Sequence, residues 1–240
     1  MPAAPISAPA PFHLTALDRE ILSQTDEEFV YHDWDNLKCI IGSGARVYLP
    51  AFRPYNTPRR RKPSDLANYI KWSADIKGLY QTITNYICLE RLHWPLDLDP
   101  DTHCANATPF ADARDYKILR NDWPYGVTPD VTHVVVWVKN RIAVDERIGD
   151  LTPESRALID AFVQKVFVGR LVGEFTDAKD RVMWFKNWTS LQSVRSLEHI
   201  HVLVRDVPED VVSEWTGEPP RKLSDPTVGM EKAALPKAAS

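Results

Sequence analysis

Nowhere in its 240 residues does the chain run through the roughly 18–20 consecutive apolar residues that a bilayer crossing needs. Its opening stretch, MPAAPISAPAPF, has neither a basic segment nor the apolar centre of a signal peptide, so a cytoplasmic protein with no membrane partner is expected. Cysteine is scarce: Cys39, Cys88 and Cys104 are too few and too dispersed for a zinc cluster, and an odd count gives no full disulfide framework. The chain also lacks a Walker A loop, a G-x-G-x-x-G turn and a G-x-S-x-G elbow. These absences argue against ATP-driven chemistry and the common serine-hydrolase arrangement, and no metal or other cofactor is expected.

With 44% hydrophobic residues in 27.4 kDa, there is enough apolar material for one substantial core. The net charge of −4 conceals a strong asymmetry. Between Asp18 and Asp35 seven acids stand against Arg19 alone, whereas residues 36–64 carry Lys38, Arg46, Arg53, Arg59, Arg60, Arg61 and Lys62 with no acid. Tyr48, Phe52 and Tyr55 interleave with those cations, a composition that suits a polyanion with unpaired bases as well as it suits a solvated basic loop.

The periodicities point to an α+β protein: a single domain with a small, mainly antiparallel sheet flanked by helices. Residues 1–12 and 219–240 have little to bury and are expected to be disordered, leaving 13–218 as the folded, catalytic domain. TALDREILSQ and DWDNLKCIIGSG read as short helices, and the 3–4 spacing of apolar residues from Leu66 to Leu92 predicts one long helix near 64–93, with a kink possible at Gly78. Farther on, VTHVVVWV, RVMWFK and SLEHIHVLV read as strands. LTPESRALIDAFVQKVFVGRLV reads as a helix capped by Thr152 with Pro153 in its first turn. YKILRNDWPYG is notable for its Trp-Pro-Tyr-Gly turn signal, and a further strand around 47–49 is left open.

Strand alternation places His199 and His201 on one face and Glu198 on the other; on the neighbouring strand His133 and Trp137 share a face. A His-x-His pair can ligate a metal, but no third ligand stands at a characteristic spacing. The same pair could act as a general base near neutral pH, or be two buried histidines bonded to backbone or tyrosine. Asn187, Gln192-Ser193-Val194 and His199-Ile200-His201 partly resemble the histidine-triad nucleotide hydrolases and transferases. The spacing is longer, however, and Leu203 replaces the third histidine.

Taken together, YKILRNDWPYG, VTHVVVWVK, GDLTPESRALIDAFV, VMWFKNWTSLQSV and LEHIHVLVRD resemble the fungal DUF3605 family, whose members often carry the label N-acetylglucosamine-induced protein 1. The resemblance runs from about Asp26 through Pro208. It implies kinship with arginine-containing cyclodipeptide synthases, which join the amino acids of arginyl-tRNA and a second aminoacyl-tRNA into cyclo-(Arg-Xaa) for secondary metabolism. Aminoacyl esters are already activated, so the missing ATP site fits that implication. Other readings are a histidine-triad-like nucleotide or sugar-nucleotide enzyme and a non-catalytic regulatory protein.

Under the implied chemistry, His199 or His201, with His133 as alternative, would act as base. Lys186 or Asn187 would face the tetrahedral oxyanion, and Ser190 or Ser193 could carry a covalent acyl group. Glu198, Asp122 and Glu90 are the candidate carboxylates for a substrate guanidinium, with Trp123 and Trp137 as pocket walls. Arg46, Arg53, Arg59, Arg60, Arg61 and Lys62 would form the tRNA track.

Overall fold

The structure, a computed structural model, describes residues 14–41, 61–147, 149–187, 194 and 197–221. Expectations for residues 1–12, for a strand at 47–49 and for the tail beyond 221 lie outside the described residues.

Helix α1 (Ala16–Leu22) opens on a reciprocal box: the Asp18 N–H donates to Thr15 Oγ1, and the Thr15 N–H donates to the Asp18 carboxylate. Helix α2 (Trp34–Ile41) buries Trp34, Leu37, Ile40 and Ile41. Helix α3 (Pro63–Tyr80) starts on a proline, whose missing N–H costs nothing in a first turn, and buries Leu66, Tyr69, Ile70, Trp72 and Ile76.

The long helix expected near 64–93 is present as α3 but stops at Tyr80, and a second, short helix covers the rest. The break falls at Gln81, which adopts a left-handed φ of 66°, and not at Gly78. Two side chains stabilise it: Thr82 Oγ1 accepts the Asn85 N–H at 3.0 Å, and Asn85 Nδ2 donates to the Tyr80 carbonyl at 2.8 Å. Helix α4 (Ile83–Tyr86) therefore begins afresh and runs on into a π-helical turn, Ile87–Leu92. The short α5 (Pro100–His103) follows, capped by Asp99.

The strands are β1 (Tyr116–Arg120), β2 (Val131–Val138), and the two-residue pair β3 (Val144–Asp145) and β4 (Asp150–Leu151). Thr152 then caps α6 (Pro153–Val163) as expected, accepting the Ser155 N–H at 3.2 Å. A π turn (Gln164–Val168) leads into α7 (Gly169–Leu171), and β5 (Val182–Phe185), β6 (Glu198–Arg205) and α8 (Glu209–Thr216) complete the order.

The main sheet has the order β1-β2-β6-β5 and is antiparallel throughout. β1, which the sequence reading passed over as the approach to a turn, is its edge. Opposite partners share a face, so the register sorts the residues into two layers. Ile118, Val134, Val136, Ile200, Val202 and Trp184 pack against Ile159, Phe162 and Phe167 of the α6–α7 segment and Val212 of α8. On the other side Leu119, Val135 and Trp137 meet α3 and α4, while Leu203 and Phe185 meet α2. The sheet thus lies between two helical layers. His199 and His201 fall on the α3/α4 side, as alternation predicted. Among the described residues, no helix is long and apolar enough to cross a membrane.

Phe167 is fully buried, with Trp215 at 4.9 Å between ring centroids. Phe167→Ala should destabilise the fold by about 3–5 kcal/mol, lowering the urea midpoint without changing the denaturant slope.

Candidate functional site

β1 is followed by Asn121, whose side-chain oxygen accepts the Trp123 N–H at 3.0 Å, while its backbone N–H donates to the His133 carbonyl at 2.9 Å. This local turn points Asp122 toward α4 and packs Trp123 against Tyr69 and Trp72 of α3, with centroids 5.5 and 5.4 Å apart. Beside it opens a cavity of about 100 Å³ between the sheet and α3/α4. That is less than the ~150 Å³ that encloses a benzene ring, so it has room for about four non-hydrogen atoms, the size of a carboxylate or the head of a side chain. Its walls are largely aromatic: Tyr69, Trp72, Tyr86, Trp123, Tyr125 and Trp137.

His199, His201 and Asn187 line the cavity from the sheet. His199 Nδ1 donates to the Leu197 carbonyl at 2.9 Å, which leaves Nε2 with its lone pair and no protein partner among the described residues. The ring lies against Trp137 at 4.7 Å. Asn187 Nδ2 donates to His201 Nε2 at 2.9 Å and to the Tyr125 hydroxyl at 3.1 Å. His201 therefore carries its proton on Nδ1 and donates to His133 Nε2 at 3.0 Å. His133 lies behind His201, so the three histidines differ in role: one faces the cavity with an open nitrogen, and two form an internal chain.

Burial pushes His199 down to about 4 against the opposing Leu197 carbonyl, and the Lys186 ammonium adds to the depression. Burial, followed by the charge of Arg61, pushes His133 down to about 3. Both rings are neutral at physiological pH. Burial likewise lifts the Tyr86 hydroxyl to about 12, with Asp122 nearby reinforcing the shift.

An ionic network closes one side. Arg91 forks onto Asp122 with two 2.8 Å bonds and reaches Glu218 at 2.8 Å. Arg120 pairs with Glu209 at 2.7 Å, and its backbone N–H donates to Glu218 at 2.8 Å. Arg221 stands 3.9 Å from Asp122 and 3.8 Å from Glu218. Although burial opposes its charge, Arg91 is held above its ordinary pKa by Asp122 and Glu218.

His199, His201, Asn187, Asp122, Trp123, Trp137 and Arg61 thus converge on one cavity, with His133 directly behind. Lys186 and Glu198 do not join them. They form a 3.0 Å ion pair, and Glu198 stays on the opposite face. Glu90 is exposed and accepts the Tyr80 hydroxyl. Lys62 lies 3.4 Å from Asp26 and 3.9 Å from Asp65, so an acid of the Asp18–Asp35 stretch neutralises the last cation of the basic one. Ser190, Ser193, Arg46, Arg53, Arg59 and Arg60 lie outside the described residues. The sequence reading missed Arg91, Asn121, Tyr69, Trp72, Tyr86 and Tyr125 as site residues. Two signals were present for some of them: Arg91 follows Ile83 and Ile87 at i+4 spacing, and the Asn-Asp-Trp-Pro-Tyr block contributes four lining residues.

The family profile described as "Protein of unknown function (DUF3605)" matches residues 33–205. N-acetylglucosamine-induced protein 1 of Candida albicans is 33% identical over 168 residues, 64% of this chain and 64% of that protein, so the chain spans a little under two thirds of its length. Uncharacterized protein YPL067C of Saccharomyces cerevisiae is 30% identical over 188 residues, covering 78% of this chain and 86% of the relative. The crystal structure of HTC1 superposes with a TM-score of 0.54 at 28% identity, covering 76% of this chain and 90% of that one.

The neutral histidines set an acid dependence. In the unfolded chain both take a proton near about 6.5, above their folded values of about 4 and about 3. The unfolded state then binds more protons, so stability is lost as pH falls from about 6.5 toward 4 and is unaffected by these groups above 6.5. Each ring contributes up to about 1.4 kcal/mol per pH unit. His199→Gln should reduce the slope of unfolding free energy between about pH 6.5 and 5 by close to one proton; an unchanged slope would mean that His199 is already charged in the fold.

Proposed function

The chain belongs to the DUF3605 family, and on that footing we propose that it is an aminoacyl-tRNA-dependent cyclodipeptide synthase making cyclo-(Arg-Xaa). The observation that carries the reading is His199 Nε2, an uncharged imidazole nitrogen with no protein partner among the described residues, on a cavity walled mainly by aromatic rings.

The α-amine of one aminoacyl group attacks the ester carbonyl of the second. A C–N bond forms, the C–O bond to ribose breaks, and the first tRNA leaves. The newly placed free amine then attacks the remaining ester, which closes the ring and releases the second tRNA. In each step His199 Nε2 takes the proton lost by the amine and returns it to the departing ribose oxygen. A ring with a pKa of about 4 is a modest base but a ready donor for that return. Asn187, His201 and His133 hold the neighbouring ring in one tautomer. Asp122 is already forked onto Arg91 and the Tyr69 ring is covered by Arg61, so the aromatic wall at Trp72 and Tyr86, more than a free carboxylate, would receive a substrate guanidinium.

Expression of the chain in a heterologous host, with mass spectrometry for arginine-containing diketopiperazines, tests this directly. The wild type should produce them, and His199→Ala should lower output by at least about 100-fold with the fold intact. Full output from His199→Ala removes the assigned base. A soluble wild type that yields no product, yet is stabilised by nucleoside phosphates, would instead support a histidine-triad-like nucleotide enzyme.

A further inference from the structure

Among the described residues, the cations around the cavity are balanced, except for one. Arg91, Arg120 and Arg221 stand against Asp122, Glu209 and Glu218. Arg61 has no carboxylate within ion-pair distance among the described residues. Its guanidinium lies 4.3 Å from the Tyr69 ring and 5.5 Å from Tyr125, and one terminal nitrogen donates to the Trp123 carbonyl at 3.1 Å. The acid that feels its field, Asp65, is shared with Lys62. A guanidinium has five N–H donors, and the Arg61 Nε donor is buried without a partner.

A second observation points the same way. The Trp72 and Trp123 indole nitrogens and the Tyr86 hydroxyl, all on residues of the same cavity, are also buried without hydrogen-bond partners. Several orphan donors and one uncompensated cation on one cavity describe the complement of an acceptor-rich anion. The nearby histidines are neutral and supply no counter-charge.

We propose that the cavity binds its ligand through an oxyanion held by Arg61, a phosphate or a carboxylate, with the organic part of the ligand against the Tyr69–Trp72–Trp123 rings. This rests on the same cavity being the ligand site; an aminoacyl ester has no free carboxylate, so under the proposed function the anion is a phosphate of the tRNA end, and a carboxylate would point to a different ligand. Arg61 then acts inside the pocket as an anchor, apart from any role in a surface track for nucleic acid.

Calorimetry on the full chain separates the two sources, using adenosine 5′-monophosphate against adenosine, and arginine against arginine methyl ester. In at least one pair the anionic member should bind at least tenfold more tightly than its partner lacking that charge, and that pair identifies the anion. Arg61→Gln should remove the difference, and Arg61→Lys should restore part of it, since a point charge replaces the fork. Equal binding within both pairs, no binding by either anionic ligand at millimolar concentration, or an unchanged preference in Arg61→Gln overturns the proposal. The wild-type comparison alone is decisive if a variant fails to fold. A chain that binds the anion through Arg61 yet makes no diketopiperazine keeps this site and loses the synthase; one that makes product with no anion preference does the reverse.

Discussion

Eight consecutive residue pairs join β2 to β6, from Val131↔Arg205 to Val138↔Glu198, and the register of this ladder determines the character of both faces of the sheet. Trp137 faces His199, Val135 faces His201 and His133 faces Leu203, so the polar rings gather on the α3/α4 side. A slip of one residue would exchange them for Ile200 and Val202 and push two imidazoles into the aliphatic layer under α6. β1 and β5 reinforce the register from outside. β1 delivers the Asn121 turn, and β5 places Phe185 nearly parallel to His201 at 4.8 Å. The site is therefore a property of the sheet's registration as much as of its side chains.

The ionic network ties distant segments to that sheet. Arg91 comes from the π turn after α4, Asp122 from the turn after β1, and Glu218 from just beyond α8. Buried ion pairs contribute little net stability once desolvation is counted, but loss of one partner leaves an uncompensated charge. Their value here is positional. The Asp122 carboxylate is fixed by two bonds to one guanidinium, which leaves it little freedom to swing into the cavity. The segment just after α8 is thereby tied to the site wall, Glu218 through Arg91 and Arg221 beside Asp122.

Alternation sufficed to put His199 with His201 and to set Glu198 apart, because a period of two is local and needs no knowledge of the fold. Thr152 and Pro153 announced their helix by side-chain chemistry alone. What the sequence could not settle was set by contacts between segments. Lys186 and Glu198 pair because β5 and β6 are neighbours, and neither strand records that pairing in its own pattern. Glu90 and Arg91 are adjacent, yet one is exposed and the other buried, a distinction made by the partner Asp122 more than 30 positions along the chain. Arg61 stood among seven cations of one stretch, and only packing against Tyr69 distinguishes it from Lys62.

The departure from the expected long helix is also what makes a cavity possible. In an unbroken helix Tyr69 and Arg91 would stand about 33 Å apart, at about 1.5 Å per residue, too far to border one small space. Yet Tyr69 packs against Trp123 at 5.5 Å, and Arg91 bonds the adjacent Asp122 at 2.8 Å. The turn at Gln81, held by Thr82 and Asn85, folds the second helix back so that both line the same pocket. The enclosure formed in this way is walled mainly by aromatic rings. That same low polarity keeps His199 and His133 uncharged while strengthening whatever field Arg61 projects. In water the imidazole would be partly charged near neutral pH and the guanidinium's field would be screened, so the neutral rings and the reach of Arg61 both follow from the enclosure that the backbone break makes possible.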